Sequence, residues 1–297
     1  MSTALGVAAP SQPVDFPSLW LPDDCGTGLE CACIAPAGSA DDARGQHPRK
    51  ALPTALALPC GEQWNDEAYE TPSLRFFRSW AAPARGWQVV VPMRGDYDVP
   101  LLCERRGVDR VLRVLQWILD RGPLPFDVEG QRFHLVGYSN GGAAVLALAA
   151  KAPSLVASLT VAPGYVPRCL RDFGPLHAVA HIRLIGSRQD AKSMTRIREG
   201  LELAGRAVEL CILPGAVHET VGEQLDKDAF WRWLEAARPG QRCDERRLSL
   251  QPRSSSTVAL VNAVDDSLDW QAEALLAPLT TSPRPAPVQG STNTGGI

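Results

Sequence analysis

Gly137-Tyr138-Ser139-Asn140-Gly141-Gly142 follows the apolar run Phe133-His134-Leu135-Val136 and precedes Ala143-Ala144-Val145-Leu146-Ala147-Leu148-Ala149-Ala150. The first run reads as a strand and the second as a helix. A serine flanked by glycines at such a junction meets the steric terms of a sharp strand-to-helix turn. The residues two before and two after it must be small, or strand and helix collide. The turn lifts the hydroxyl clear of the backbone. It also aims the free N–H groups of the helix N-terminus at the atom the hydroxyl meets. The stretch therefore implies a serine that attacks an acyl carbon, carried by a domain in which strands feed helices.

Working outward, the same alternation recurs. Residues 29–34, 51–60 and 87–92 read as strands. Residues 108–119 read as a helix, because Val108, Val111, Leu112, Leu115, Ile118 and Leu119 form one apolar stripe. Residues 131–137 lead into the serine turn, and 155–161 form the next strand, closed by Ala162-Pro163-Gly164. A strand at 181–185, a helix at 191–203 stopped by Ala204-Gly205, and a strand at 207–213 follow. A closing helix at 221–237 is packed down by Phe230, Trp231 and Trp233. Short apolar strands alternating with helices predict an α/β architecture, a mostly parallel sheet covered by helices on both faces. Residues 1–27 are expected to be a loose lead-in and 37–50 a polar loop. Beyond Arg238-Pro239-Gly240 the chain turns to Ser, Pro and Thr, and 240–297 is expected to be a mostly disordered tail with one possible helix at 258–276.

The 297 residues carry a net charge of −3 without long runs of one sign, which gives no reason to expect nucleic acid or an anionic membrane as partner. No run reaches the length of a membrane helix. Met1 to Asp15 has neither a basic segment nor a long apolar core, so a cytoplasmic location with reduced thiols is expected. The eight cysteines make no CxxC pair, so no metal is expected. Cys31 and Cys33, two apart on a strand, should face the same side.

A serine hydroxyl needs a base, and the base needs an orienting group. On an open parallel sheet such groups collect at the carboxyl ends of the strands. The strand 181–185 ends in Gly186-Ser187-Arg188-Gln189-Asp190, and the strand 207–213 ends in Pro214-Gly215-Ala216-Val217-His218-Glu219. Asp190 and His218 therefore stand on the same sheet edge as Ser139, in the chain order serine, acid, histidine. Asp190 is also placed to cap the helix that starts at Ala191. His134, His177 and His181 read as structural, Glu219 as surface charge beside the imidazole, and Asp96 and Asp98 as turn residues. Cys60 reads as a small apolar filler.

With the glycine-framed serine and Leu213-Pro214-Gly215-Ala216-Val217-His218 both present, residues 51–237 resemble the α/β-hydrolase superfamily. The likeness is to its esterase, dienelactone-hydrolase and polyhydroxybutyrate-depolymerase-like branches. The resemblance implies an α/β-hydrolase domain over 28–239 without a large cap. It implies Ser139 as nucleophile, His218 as general base and acid, and Asp190 as orienting carboxylate. The acid of the family often lies three residues after the glycine, whereas Asp190 lies four after Gly186. One oxyanion donor would be the N–H of Asn140. The second would come from Pro59-Cys60-Gly61-Glu62, with Glu62 favoured and Gly61 next, although Cys60 stands where relatives carry histidine. The implied chemistry is hydrolysis of a small-molecule ester or thioester without any cofactor. An acyltransferase on the same groups and a non-catalytic binding protein of the same fold remain the alternatives. Tyr165, Phe173 and Leu176, between Pro163 and Ala180, are the side chains expected to cover the site.

Overall fold

A computed structural model describes residues 18–21, 26–36, 50–60, 77, 80, 82–94 and 101–238, all within the unit Met1–Ser249. The readings at Gly61, Glu62, Asp96, Asp98 and 240–297 lie outside the described residues. Among the described residues eight strands form one sheet: β1 (Ser18–Leu21), β2 (Leu29–Ile34), β3 (Ala51–Leu58), β4 (Gln88–Arg94), β5 (Asp127–Gly137), β6 (Val156–Val161), β7 (Ile182–Gly186) and β8 (Glu209–Ile212). Their order is β1-β2-β4-β3-β5-β6-β7-β8. The β1–β2 and β2–β4 pairs are antiparallel, and every pair from β4 to β8 is parallel. The sheet is mostly parallel, as the alternation predicts. Strand β1 corrects the reading of 1–27 as wholly loose, because Ser18–Leu21 pairs along β2.

Among the described residues five α-helices accompany the sheet: α1 (Arg105–Arg121), α2 (Asn140–Lys151), α3 (Ala191–Leu203), α4 (Val221–Gln224) and α5 (Lys227–Ala236). Helix α1 buries Val108, Val111, Val114, Leu115 and Ile118 and leaves its charged face outside. Each such side chain contributes about 1.5–3 kcal/mol before its ordering cost. The helix stops at Gly122, whose φ of 59° is open to glycine and whose N–H donates to the Ile118 carbonyl. Helix α2 is apolar all round and buried from Gly141 to Ala149, so it is the innermost of the helices. The closing helix expected at 221–237 is broken in two. Asp226 caps the second piece by accepting the Ala229 N–H at 2.9 Å.

Successive strand residues supply opposite faces. Leu56, Leu58, Phe133 and Leu135 pack with α1, α2 and α3, together with Cys31 and Cys33. Ala55, Ala57, Val89 and Val91 pack on the other face with Trp80, Trp87, Phe230 and Trp231. The Trp231 indole N–H donates to the Trp80 carbonyl at 2.9 Å and fixes α5 over that second core.

Candidate functional site

Strand β5 runs into α2 through Ser139, which has φ 55° and ψ −116°. That region is sparsely populated for a residue with a β-carbon and costs about 1–3 kcal/mol. The surrounding bonds hold it there. The Ser139 N–H donates to the Pro163 carbonyl at 2.8 Å, and the Gly141 N–H donates to the Tyr138 carbonyl at 2.8 Å. The glycines answer to sterics. A β-carbon on Gly137 would meet the Gly141 carbonyl, one on Gly141 the Leu58 carbonyl, and one on Gly142 the Pro163 carbonyl. Close approach of backbone to backbone is therefore what the three glycines make possible. The Ser139 hydroxyl makes no capping bond to the helix it opens.

Strand β8 ends before the turn that carries His218, and the imidazole reaches back across the sheet edge. Its Nε2 lies 3.0 Å from Ser139 Oγ. Its Nδ1 lies 2.7 Å from Asp190 Oδ1. Asp190 follows β7 and occupies the N-cap position of α3, but its side chain does not cap that helix. The carboxylate turns instead toward His218 and Ser187. Oδ2 accepts from the Ser187 hydroxyl at 2.5 Å and from the Ser187 N–H at 3.1 Å. A carboxylate held this way keeps the Nδ1 proton on the imidazole and leaves Nε2 free to accept.

Electrostatics agree with the geometry. Burial by itself would raise the Asp190 carboxyl, but hydrogen bonds from His218 and Ser187 outweigh it and hold the group below its ordinary range. His218 is raised, first by its hydrogen bond to Asp190 and further by the charges of Asp190 and Glu219, against the opposing effect of burial. The backbone of His218 is pinned at both ends. Its carbonyl accepts the Tyr138 hydroxyl at 2.6 Å, and its N–H donates to Gln189 Oε1 at 3.2 Å.

No family model matches the chain, and no curated protein matches it in sequence. Solved structures do resemble it. A thermostable esterase aligns over 74% of this chain at 15% identity and a TM-score of 0.53. This chain spans 63% of that esterase's length. Esterase Est22 aligns over 78% of this chain and 82% of its own, at 13% identity and a TM-score of 0.53. The S-formylglutathione hydrolase FrmB from Staphylococcus aureus aligns over 74% of this chain and 96% of its own, at 15% identity and a TM-score of 0.54. The chain has the α/β-hydrolase fold.

Within that fold Ser139, Asp190 and His218 come together at the carboxyl edge of the sheet, each at the end of its own strand. Asn140 is the first residue of α2, so its N–H has no acceptor within the helix. Of the three side chains expected to cover the site, Tyr165 alone bonds to a residue next to Ser139. Its hydroxyl reaches Asn140, while Leu176 is buried in the core and Phe173 packs against it. His134 is a core residue. Its ring lies tilted against Trp87, shares a 2.8 Å hydrogen bond with Ser158, and is pushed down to about 3 by burial, so it stays neutral. His177 and His181 precede β7 and stand at the end opposite Asp190. Among the described residues no cluster of His, Cys, Asp or Glu is placed to hold a metal ion, and no helix is long and apolar enough to cross a membrane. Cys33, Cys103, Cys169 and Cys211 carry free thiols. Ser187, Gln189 and the Tyr138 hydroxyl are parts of the site that the strand and motif reading did not single out.

Proposed function

We propose that the protein is a serine hydrolase that cleaves an ester or thioester through an acyl-enzyme. One observation carries the reading. A serine in a strained turn is hydrogen-bonded to an imidazole whose other nitrogen is held by a buried carboxylate, at 3.0 Å and 2.7 Å. Ser139 Oγ attacks the acyl carbon while His218 Nε2 takes its proton. Asp190 keeps the imidazole in the accepting tautomer and stabilises the imidazolium that forms. The oxyanion is received by the Asn140 N–H at the positive end of α2. A second donor, assigned from sequence to Glu62 or Gly61, completes the hole. Removing one such donor costs about 3 kcal/mol of transition-state stabilisation. His218 then returns its proton to the leaving alcohol or thiol. Water, deprotonated by the same imidazole, releases the acid.

The names esterase and S-formylglutathione hydrolase on similar solved structures support an acyl substrate. No cofactor enters the scheme. The test is Ser139→Ala. Purified wild-type protein should hydrolyse 4-nitrophenyl acetate, and the variant should lose that activity while melting at an unchanged or higher temperature, since alanine removes no capping bond. A folded Ser139→Ala protein with wild-type turnover contradicts the assignment.

A further inference from the structure

Asn140 does two things at once. Its backbone N–H opens α2 beside Ser139, and its side chain joins the segment after β3 to the loop after β6. The Asn140 Nδ2 donates to the Cys60 carbonyl, just past β3, at 3.1 Å. Its Oδ1 accepts the hydroxyl of Tyr165, from the loop after β6, at 2.6 Å. Tyr165 has a second neighbour, Cys103 Sγ at 3.4 Å. A phenol has one proton to give, and the shorter bond takes it. The Cys103 thiol therefore donates to the Tyr165 oxygen, and the chain of donors runs from Cys103 to Tyr165 to Asn140. Burial raises both the Cys103 thiol and the Tyr165 phenol, which keeps both protonated and able to donate.

This order bears on the oxyanion. An asparagine at the start of a helix has a competing use for its side-chain oxygen. A free Oδ1 folds back onto nearby backbone N–H groups, its own first turn included. The Asn140 N–H, which the oxyanion needs, is among them. We infer that Tyr165 is a positioning residue for oxyanion binding: by occupying Asn140 Oδ1 it keeps that oxygen off the helix N-terminus and holds Asn140 Nδ2 on the Cys60 carbonyl. The inference rests on the reading of Ser139 as nucleophile and adds to it a residue, Tyr165, that the Ser-His-Asp arrangement does not include. It also accounts for a tyrosine that is 39% exposed yet held in place by its hydroxyl.

The experiment compares wild type, Tyr165→Phe, Asn140→Ala and the double variant. The readouts are steady-state hydrolysis of 4-nitrophenyl acetate, inhibition by phenylboronic acid, which takes a tetrahedral form on a serine oxygen, and thermal melting. Tyr165→Phe should lower kcat about fivefold, the effect of one neutral hydrogen bond, with KM unchanged. Boronate affinity should fall by the same factor as kcat/KM, because both report the tetrahedral state. The double variant should lose no more than Asn140→Ala alone, since Tyr165 acts through that side chain. Wild-type kinetics in Tyr165→Phe, a change confined to KM, or additive losses in the double variant each overturn the inference while leaving the hydrolase reading intact. If wild-type protein neither hydrolyses the ester nor binds the boronate, the hydrolase reading fails, and this inference fails with it.

Discussion

Replacing Asp190 by asparagine sets two needs of one side chain against each other. In the structure Oδ1 accepts the His218 Nδ1–H, while Oδ2 accepts both the N–H and the hydroxyl of buried Ser187. An asparagine has one oxygen for both tasks. If that oxygen stays on Ser187, the amide NH₂ faces His218 Nδ1, the imidazole proton moves to Nε2, and Ser139 loses its base. If the amide flips, the Ser187 hydroxyl can rotate to accept, but the buried Ser187 N–H is left without an acceptor, at about 1–3 kcal/mol. In either arrangement the imidazolium loses a charge-assisted hydrogen bond of about 1.5–3 kcal/mol. Reaching the productive arrangement and losing that bond together amount to about 2.5–6 kcal/mol, or a fall in kcat of about 10²–10⁴-fold at 1.36 kcal/mol per decade. Substituting the same acid in a serine protease gives a loss at the upper end of that span. The assay is ester turnover at saturating substrate, with circular dichroism melting to show the variant is folded. A folded Asp190→Asn protein with kcat within about threefold of wild type refutes the role given to Asp190 and the tautomer reasoning with it.

Three further outcomes follow from the same geometry. His218 must be deprotonated to act as base, and its pKa is raised by Asp190, so the acid limb of kcat/KM should have its midpoint above the ordinary histidine value of about 6.5. In Asp190→Asn that midpoint should move to lower pH, and an unmoved limb counts against the pairing. Gly141→Ala forces a β-carbon onto the Leu58 carbonyl, a backbone atom with no rotamer to yield, and should cost at least about 3 kcal/mol in a denaturant titration. A variant as stable as wild type contradicts the packing described for the turn. His134→Leu leaves the Ser158 hydroxyl buried without its partner and should cost about 1–3 kcal/mol, while the acid limb of kcat/KM stays in place. A shift of that limb would show that His134 takes part in the chemistry.

What the sequence made legible was what local rules govern. The glycines around Ser139 are demanded by contacts within a few residues of the turn, so the turn could be read from six letters. The apolar stripe of α1 could be read from its spacing. Asp190 and His218 could be found because each follows a short apolar strand and a turn. Other features depend on distant partners. Strand β1 is a strand because β2 offers it a free edge, and Ser18–Leu21 carries little of that pattern itself. The break between α4 and α5 comes from Asp226 taking up the Ala229 N–H, where the spacing predicts one closing helix over 221–237. Tyr138 and His218 are 80 residues apart in sequence, and so are Asn140 and Cys60, so no spacing announces either bond. Ser187 is nearest to having been visible. It lies three residues before Asp190, and its role depends on the tight turn that brings its N–H and hydroxyl onto one carboxylate oxygen.

Ser139 is expected to form a covalent adduct with an electrophile that takes the place of the acyl group. Incubation with a fluorophosphonate, followed by intact-mass measurement and peptide mapping, tests it without reference to any natural substrate. A single adduct on Ser139 is expected, lost in Ser139→Ala and formed far more slowly in His218→Ala. Absence of an adduct on folded wild-type protein, or an adduct on another serine such as Ser187, contradicts it.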